Sequence, residues 1–163
     1  MLYAICGPSE SGKSTILNEI LKVRPQLKRL ITLTTRSPRV NELEAIDYYF
    51  MSKDLFQEMN KMGQIVYPII YRNEYYGIRK SDLLACIETD TLSVLRPDGI
   101  RPISKYVPIT GIYVEMDINE HIYNSHDKEV YDNKHICSYY IKNIYGNLNY
   151  AVEKVLSIVD QSK

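Results

Sequence analysis

Short apolar runs alternate with amphipathic stretches along the chain, the pattern of a sheet whose strands are separated by helices. Leu2 to Cys6 is an unbroken apolar run of strand length, and from Ser14 the spacing becomes helical, with Ile16, Leu17, Ile20 and Leu21 on one face. A second strand is predicted over residues 29–34. Residues 36–47 lose all apolar period and carry Pro38 and Asn41, which marks a loop. Ser52 offers an N-cap to a helix with Leu55, Phe56, Met59 and Met62 along one side, and Gly63 can close it. Residues 65–71 and 74–78 read as paired strands around Arg72 and Asn73. Ser81 is positioned to cap a further helix built on Leu83, Leu84 and Ile87. Residues 91–95 and 111–115 are apolar enough for strands buried on both faces of a parallel sheet. Residues 138–141 supply a last strand, and Leu148, Val152, Val155, Leu156 and Val159 form the seam of a closing helix. Residues 119–135 are polar and without period.

A length of 163 residues fits one compact α/β domain. Twenty basic residues balance 20 acidic ones, so net charge gives no case for a nucleic-acid or membrane partner, and any basic site must be local. Cys6, Cys86 and Cys137 are widely spaced among apolar or aromatic neighbours. They are expected to be reduced core residues of a cytoplasmic protein, without zinc spacing or a disulfide framework. No basic leader precedes Gly7, so a signal peptide is not expected, and no apolar run is long enough to span a bilayer. His121, His126 and His135 lack metal-ligand spacing and are read as surface residues.

The candidate chemistry begins at GPSESGKST. Gly7, Gly12, Lys13 and Ser14 fill every fixed position of a phosphate-binding loop, set between a strand and a helix as that loop requires. There, consecutive main-chain N–H groups and the helix N-terminus converge on one anion-binding concavity. Lys13 would reach the β- and γ-phosphates, and the Ser14 hydroxyl would ligate Mg2+. Glu10, at a variable position, is expected to point outward.

A second cationic element follows in TTRSPRVNE. Arg36 and Arg39, with Pro38 fixing the turn between them, present two rigid forks that can each grip a phosphate. The alternative is a solvated loop in which they pair with Glu42 and Glu44. Beside an intact phosphate loop, a second anion site implies a second phosphorylated substrate, which a phosphotransferase needs and a switch protein does not.

With GPSESGKST, TTRSPRVNE followed by DYYF, and Tyr75-Tyr76-Gly77, the chain resembles the guanylate kinase family, closely over its first half and in element order beyond. The resemblance implies a P-loop kinase fold: a central parallel sheet flanked by helices, a small acceptor-binding lobe and a short lid. In this single domain, 1–163, the core would be 1–35 and 83–163, the lobe 36–82 and the reduced lid about 119–136. The implied reaction moves the γ-phosphoryl of ATP, with Mg2+, to a nucleoside monophosphate, GMP or dGMP in the family. ATP would lie on Gly7, Pro8, Ser9, Glu10, Ser11, Gly12, Lys13, Ser14 and Thr15, with Asn143 near the adenine. Arg36, Arg39, Tyr48 and Tyr76 would hold the acceptor phosphate, and Thr32 and Glu42 would line the same cleft.

Three departures from the family pattern matter. Tyr67 stands where the family reads guanine with a glutamate, and Ile78 where it places a hydroxyl, so these two acceptor-site positions leave the base open. No arginine follows Arg101, and the lid region offers only Lys128 and Lys134. Arg96 and Asp98 end the strand over 91–95. Arg96 is expected to point into the crevice and supply charge to the transferring group, with Asp98 near the metal's water shell; the alternative is an Arg96–Asp98 surface pair at a turn. Two other functions stay open, a binding module without catalysis and a kinase of another small phosphorylated acceptor. A GTPase switch does not fit, because Asn133-Lys134 continues into His135-Ile136 rather than a guanine-reading motif. The oligomeric state is not fixed by the sequence.

Overall fold

Strand β1 (Leu2–Cys6) turns Leu2, Ala4 and Cys6 to one face of a sheet and Tyr3 and Ile5 to the other, and all five are fully buried. A strand covered on both faces belongs at the centre of a parallel sheet. In the computed structural model, which describes residues 1–116, 125–144 and 146–162, β1 takes that place. The sheet order is β2 (Lys28–Arg29), β7 (Thr91–Val94), β1, β8 (Ile109–Met116), β9 (Tyr139–Asn143), with every neighbouring pair parallel.

Helices α1 (Lys13–Val23) and α6 (Leu148–Gln161) cover one face. Ile16, Leu17 and Ile20 from the first, and Ala151, Val152, Val155, Ile158 and Val159 from the second, pack on Tyr3, Ile5, Leu92 and Val114. Leu148 and Leu156 lie at the edge of this core. On the other face α3 (Lys80–Ala85), α4 (Ile100–Ile103) and α5 (Ser125–Asp132) bring Leu83, Ile100, Ile103 and Val130 against Leu2, Ala4 and Cys6.

A second sheet, ordered β4 (Tyr48–Phe50), β3 (Thr32–Thr34), β6 (Glu74–Arg79), β5 (Ile65–Tyr71), is capped by α2 (Lys53–Lys61). Its small core is Leu33, Phe56 and Ile65, with Tyr49, Met51, Met59 and Tyr75 around it. The β5–β6 hairpin closes on Arg72 and Asn73, both at positive φ, which matches strand twist in a two-residue turn. Tyr67, also at positive φ, marks an irregularity in the pairing between Val66 and Ile69, where Pro68 lacks a donor for the ladder.

Several sequence expectations need correction. Residues 29–34 are not one strand: Lys28–Arg29 pairs in the core sheet and Thr32–Thr34 in the second sheet, because the chain changes partners across Leu30 and Ile31. The second sheet therefore starts before residue 36. Ser52 does cap α2, accepting from the Leu55 N–H at 3.2 Å, but Leu55 and Met62 are exposed and only Phe56 and Met59 turn inward. Ser81 caps nothing: β6 runs straight into α3 with Arg79 at the N-cap, and Ser81 donates to Asp82 instead. Of that helix's apolar residues Leu83 is buried, while Leu84 and the following Ile87 are exposed.

The three cysteines are free and buried. Burial, with Cys137 alongside, pushes the Cys6 thiol well up, so it stays neutral. Among the described residues no helix is long and apolar enough to cross a membrane, and no cluster of three His, Cys, Asp or Glu could hold a metal. His135 is exposed; His121 and the side chain of His126 lie outside the described residues.

Candidate active site

Between β1 and α1 the chain needs two glycines to form its loop. Gly7 has φ 143°, and a Cβ there would collide with the Val114 carbonyl of β8; Gly12 has φ 85°, and a Cβ there would collide with the Asn143 amide. Both conformations are costly for any other residue. Glu10, at φ 62°, is exposed and points outward as expected. Pro8 and Ser11 are buried, whereas Ser14 and Thr15 are exposed on the first turn of α1. Among the described residues no side chain caps α1, and its first turn carries no acid, so its N-terminal N–H groups and dipole remain directed at the loop.

Lys13 folds back into this loop, donating to the Pro8 carbonyl and to Ser11 Oγ at 3.3 Å. Burial pushes its ammonium down to about 8, against the opposing pull of the Asp127 carboxylate. Asp127, on α5, is 2 % exposed, and its Oδ1 accepts from the Ser9 main-chain N–H at 2.7 Å. Asn143, at the end of β9, donates through Nδ2 to the Ser11 carbonyl at 3.0 Å. The loop is therefore held by a side chain of α5 and by one at the end of β9.

In the second sheet the residues named from sequence come together. Arg36 forms a two-point contact with Glu42, Nη1 to Oε2 at 2.8 Å and Nη2 to Oε1 at 2.9 Å, and lies 5.3 Å from the Tyr48 ring centroid. Hydrogen bonding to Arg36 holds the Glu42 carboxyl below its usual range. Tyr48 meets Tyr76 edge-on at 6.3 Å, and Thr32 is in register with Tyr48. The Arg39 main-chain N–H donates to Glu42 at 2.7 Å, while its side chain is exposed. Arg36 is thus paired with Glu42 as the loop alternative had it, beside the Tyr48 ring, whereas Glu44 accepts from the Phe50 main-chain N–H at 2.9 Å instead of pairing with an arginine.

A family model described as Guanylate kinase matches residues 1–129. The chain belongs to the guanylate kinase family. It is 35% identical over 117 residues to a guanylate kinase of Clostridioides difficile (strain 630), covering 70% of this chain and 56% of that protein. It is 32% identical over 111 residues to a guanylate kinase of Tropheryma whipplei (strain Twist), covering 66% and 58%. The match thus spans little more than half the length of these relatives. A crystal structure of guanylate kinase from Anaplasma phagocytophilum superposes with a TM-score of 0.80 over 99% of this chain and 85% of that one, at 17% identity, which establishes the P-loop kinase fold.

Within this guanylate kinase family chain several site positions do not stand as the sequence led us to expect. Ile78 is 1 % exposed in the core cluster, which leaves it no surface to present to an acceptor. Tyr67 donates its hydroxyl to Asp98 Oδ2 at 2.8 Å, and burial first, then this bond, pushes the hydroxyl's pKa well up. Asp98 Oδ1 accepts from Arg96 Nε at 3.0 Å, so each carboxylate oxygen holds a side-chain donor, while the side chain stays 31% exposed. Arg96 Nη2 pairs with Glu129 Oε2 at 2.9 Å. The Arg96–Asp98 turn pair is therefore formed, but it is no surface pair, since the Arg96 side chain is 16% exposed. Of the lid lysines, Lys134 pairs with Glu115 at 3.3 Å and Lys128 is exposed. Asp127 and Glu129 were not legible from the chain: they lie in a polar stretch without period, far in sequence from the groups they bind.

Proposed function

We propose that this chain transfers the γ-phosphoryl group of ATP to a nucleoside monophosphate. The observation that carries the reading is the intact loop with Lys13 folded into it, on a chain that also groups Arg36 with Tyr48 and Tyr76. The main-chain N–H groups of the loop from Ser9 to Ser14, with Lys13, would neutralise the donor phosphates. Arg36, pre-set by Glu42, would grip the acceptor phosphate together with Arg39, so that positioning and electrostatics carry the catalysis. The donor set fits Mg2+ at one point: the exposed Ser14 hydroxyl at the start of α1 offers the hard oxygen that such an ion takes. When bound there, the ion would neutralise charge on the donor phosphates. Asp98, half-exposed and already accepting from Tyr67 and Arg96, would join through a metal-bound water on its remaining lone pairs.

Family membership supports GMP or dGMP as acceptor; the placements of Tyr67 and Ile78 give no base-reading group at those two positions, and Asn143, which spends one Nδ2 hydrogen on Ser11, keeps its other donor and its Oδ1 for the adenine. A second reading, a nucleotide-binding module without turnover, is favoured by the ties of Arg96 to Asp98 and Glu129. A coupled assay of ATP consumption over a panel of ribo- and deoxyribonucleoside monophosphates decides between them. Acceptor-dependent turnover is the expected result, and its absence for every acceptor would favour the module.

A further inference from the structure

Ser9 lies inside the phosphate loop, and its main-chain N–H is one of the donors that such a loop presents to an anion. In this structure that N–H already has an anionic partner, the Asp127 carboxylate. A carboxylate only 2 % exposed needs charge or hydrogen-bond compensation, and it finds this beside the loop amides and within the field of Lys13. The helix that carries it is packed in place. Val130, one turn on and on the same face as Asp127, is 2 % exposed in the core cluster that includes Cys6 and Cys137. Glu129 adds a second anchor through Arg96. Helix α5 is thus docked by two acids, one on an amide of the donor loop and one on the arginine at the end of β7.

We propose that Asp127 occupies part of the donor-phosphate site, so that α5 is an internal competitor that the incoming polyphosphate must displace. This rests on the reading of Gly7–Ser14 as the donor loop. Two anions cannot share one N–H donor in a partly buried site, so phosphate entry and Asp127 docking are mutually exclusive. Displacing the helix also takes Glu129 away from Arg96. Donor arrival and the re-aiming of Arg96 are then one event, which leaves the arginine paired while no phosphate is present.

The test is calorimetric binding of inorganic tripolyphosphate to the full chain and to D127N and E129Q. D127N keeps the shape and an oxygen acceptor but removes the competing charge; it should bind about tenfold more tightly than the wild type. E129Q touches no loop atom and weakens only the second anchor; it should bind about threefold more tightly. Equal or weaker binding by both variants, with the wild type binding normally, overturns the competitor proposal and leaves the donor-loop reading intact. No binding by any of the three proteins overturns both. If D127N does not fold, E129Q decides alone, and unchanged affinity there counts against the proposal.

Discussion

Tyr67 of β5 donates its hydroxyl to Asp98, the residue that also holds Arg96, and so joins the second sheet to the end of the core sheet. The same tyrosine ring packs on Gly99, where an added Cβ would strike it. This contact fixes how the two sheets meet on the Arg96 side. Y67F removes the hydrogen bond and keeps the ring. The variant should lose about 1 kcal/mol of stability in urea unfolding, whereas Y67A, which also empties the packing against Gly99, should lose about 3 kcal/mol.

The depressed Lys13 ammonium gives a pH dependence with a definite sign. Its value in the fold is about 8 against an ordinary 10.5, so between those values the unfolded chain carries more protons than the folded one. Stability from this group therefore rises with pH from about 8 upward, and the cost of burying the charge is fully present below that. A bound polyphosphate favours the charged ammonium and reverses the shift. Binding of tripolyphosphate at pH 8.5 should take up protons, seen as a dependence of the calorimetric heat on buffer ionisation enthalpy. K13M should abolish both the uptake and most of the affinity.

Gly12 and Asn143 form a coupled pair. G12A places a methyl against the Asn143 amide and forces an alanine to positive φ, which should cost about 1–3 kcal/mol. N143A gives up the bond to the Ser11 carbonyl and should cost about 1 kcal/mol. Because one substitution already displaces what the other removes, the double variant should be less than additive by at least about 0.5 kcal/mol in a thermal or urea cycle. Strict additivity would mean that Asn143 does not brace the loop.

Arg36 is held by Glu42 and stacked near Tyr48 in a way that a lysine cannot reproduce. R36K should raise the KM for the monophosphate about tenfold or more while leaving the KM for ATP within about twofold. An equal change in both would place Arg36 outside the acceptor site.

The loop and its glycines could be read from the chain because the motif is local: a glycine takes the left-handed Gly12 conformation beside Asn143 at least cost, and Lys13 and Ser14 come directly after it. The grouping of Arg36, Glu42, Tyr48 and Tyr76 was also legible, since they lie in or beside short motifs shared with the family. The break within residues 29–34 was not, because Lys28–Arg29 and Thr32–Thr34 are both good strand sequences and what separates them is a change of pairing partner far along the chain. The Asp127–Ser9 bond spans 118 positions and leaves no periodic trace. Ile78 shows the limit of positional inference: its place in a motif suggested a ligand contact, whereas its side chain completes the core under β6.

The central claim is that two separate anion sites, one at Lys13 and one at Arg36, bind the two ends of a phosphoryl transfer. A dinucleoside pentaphosphate, which links donor and acceptor halves in one molecule, measures this directly by calorimetry. The account predicts that K13M and R36M each weaken the linked ligand about a hundredfold or more, that K13M alone weakens a non-hydrolysable ATP analogue, and that R36M alone weakens the monophosphate. If the linked ligand binds no better than the ATP analogue, and R36M leaves its affinity unchanged, the second site does not exist.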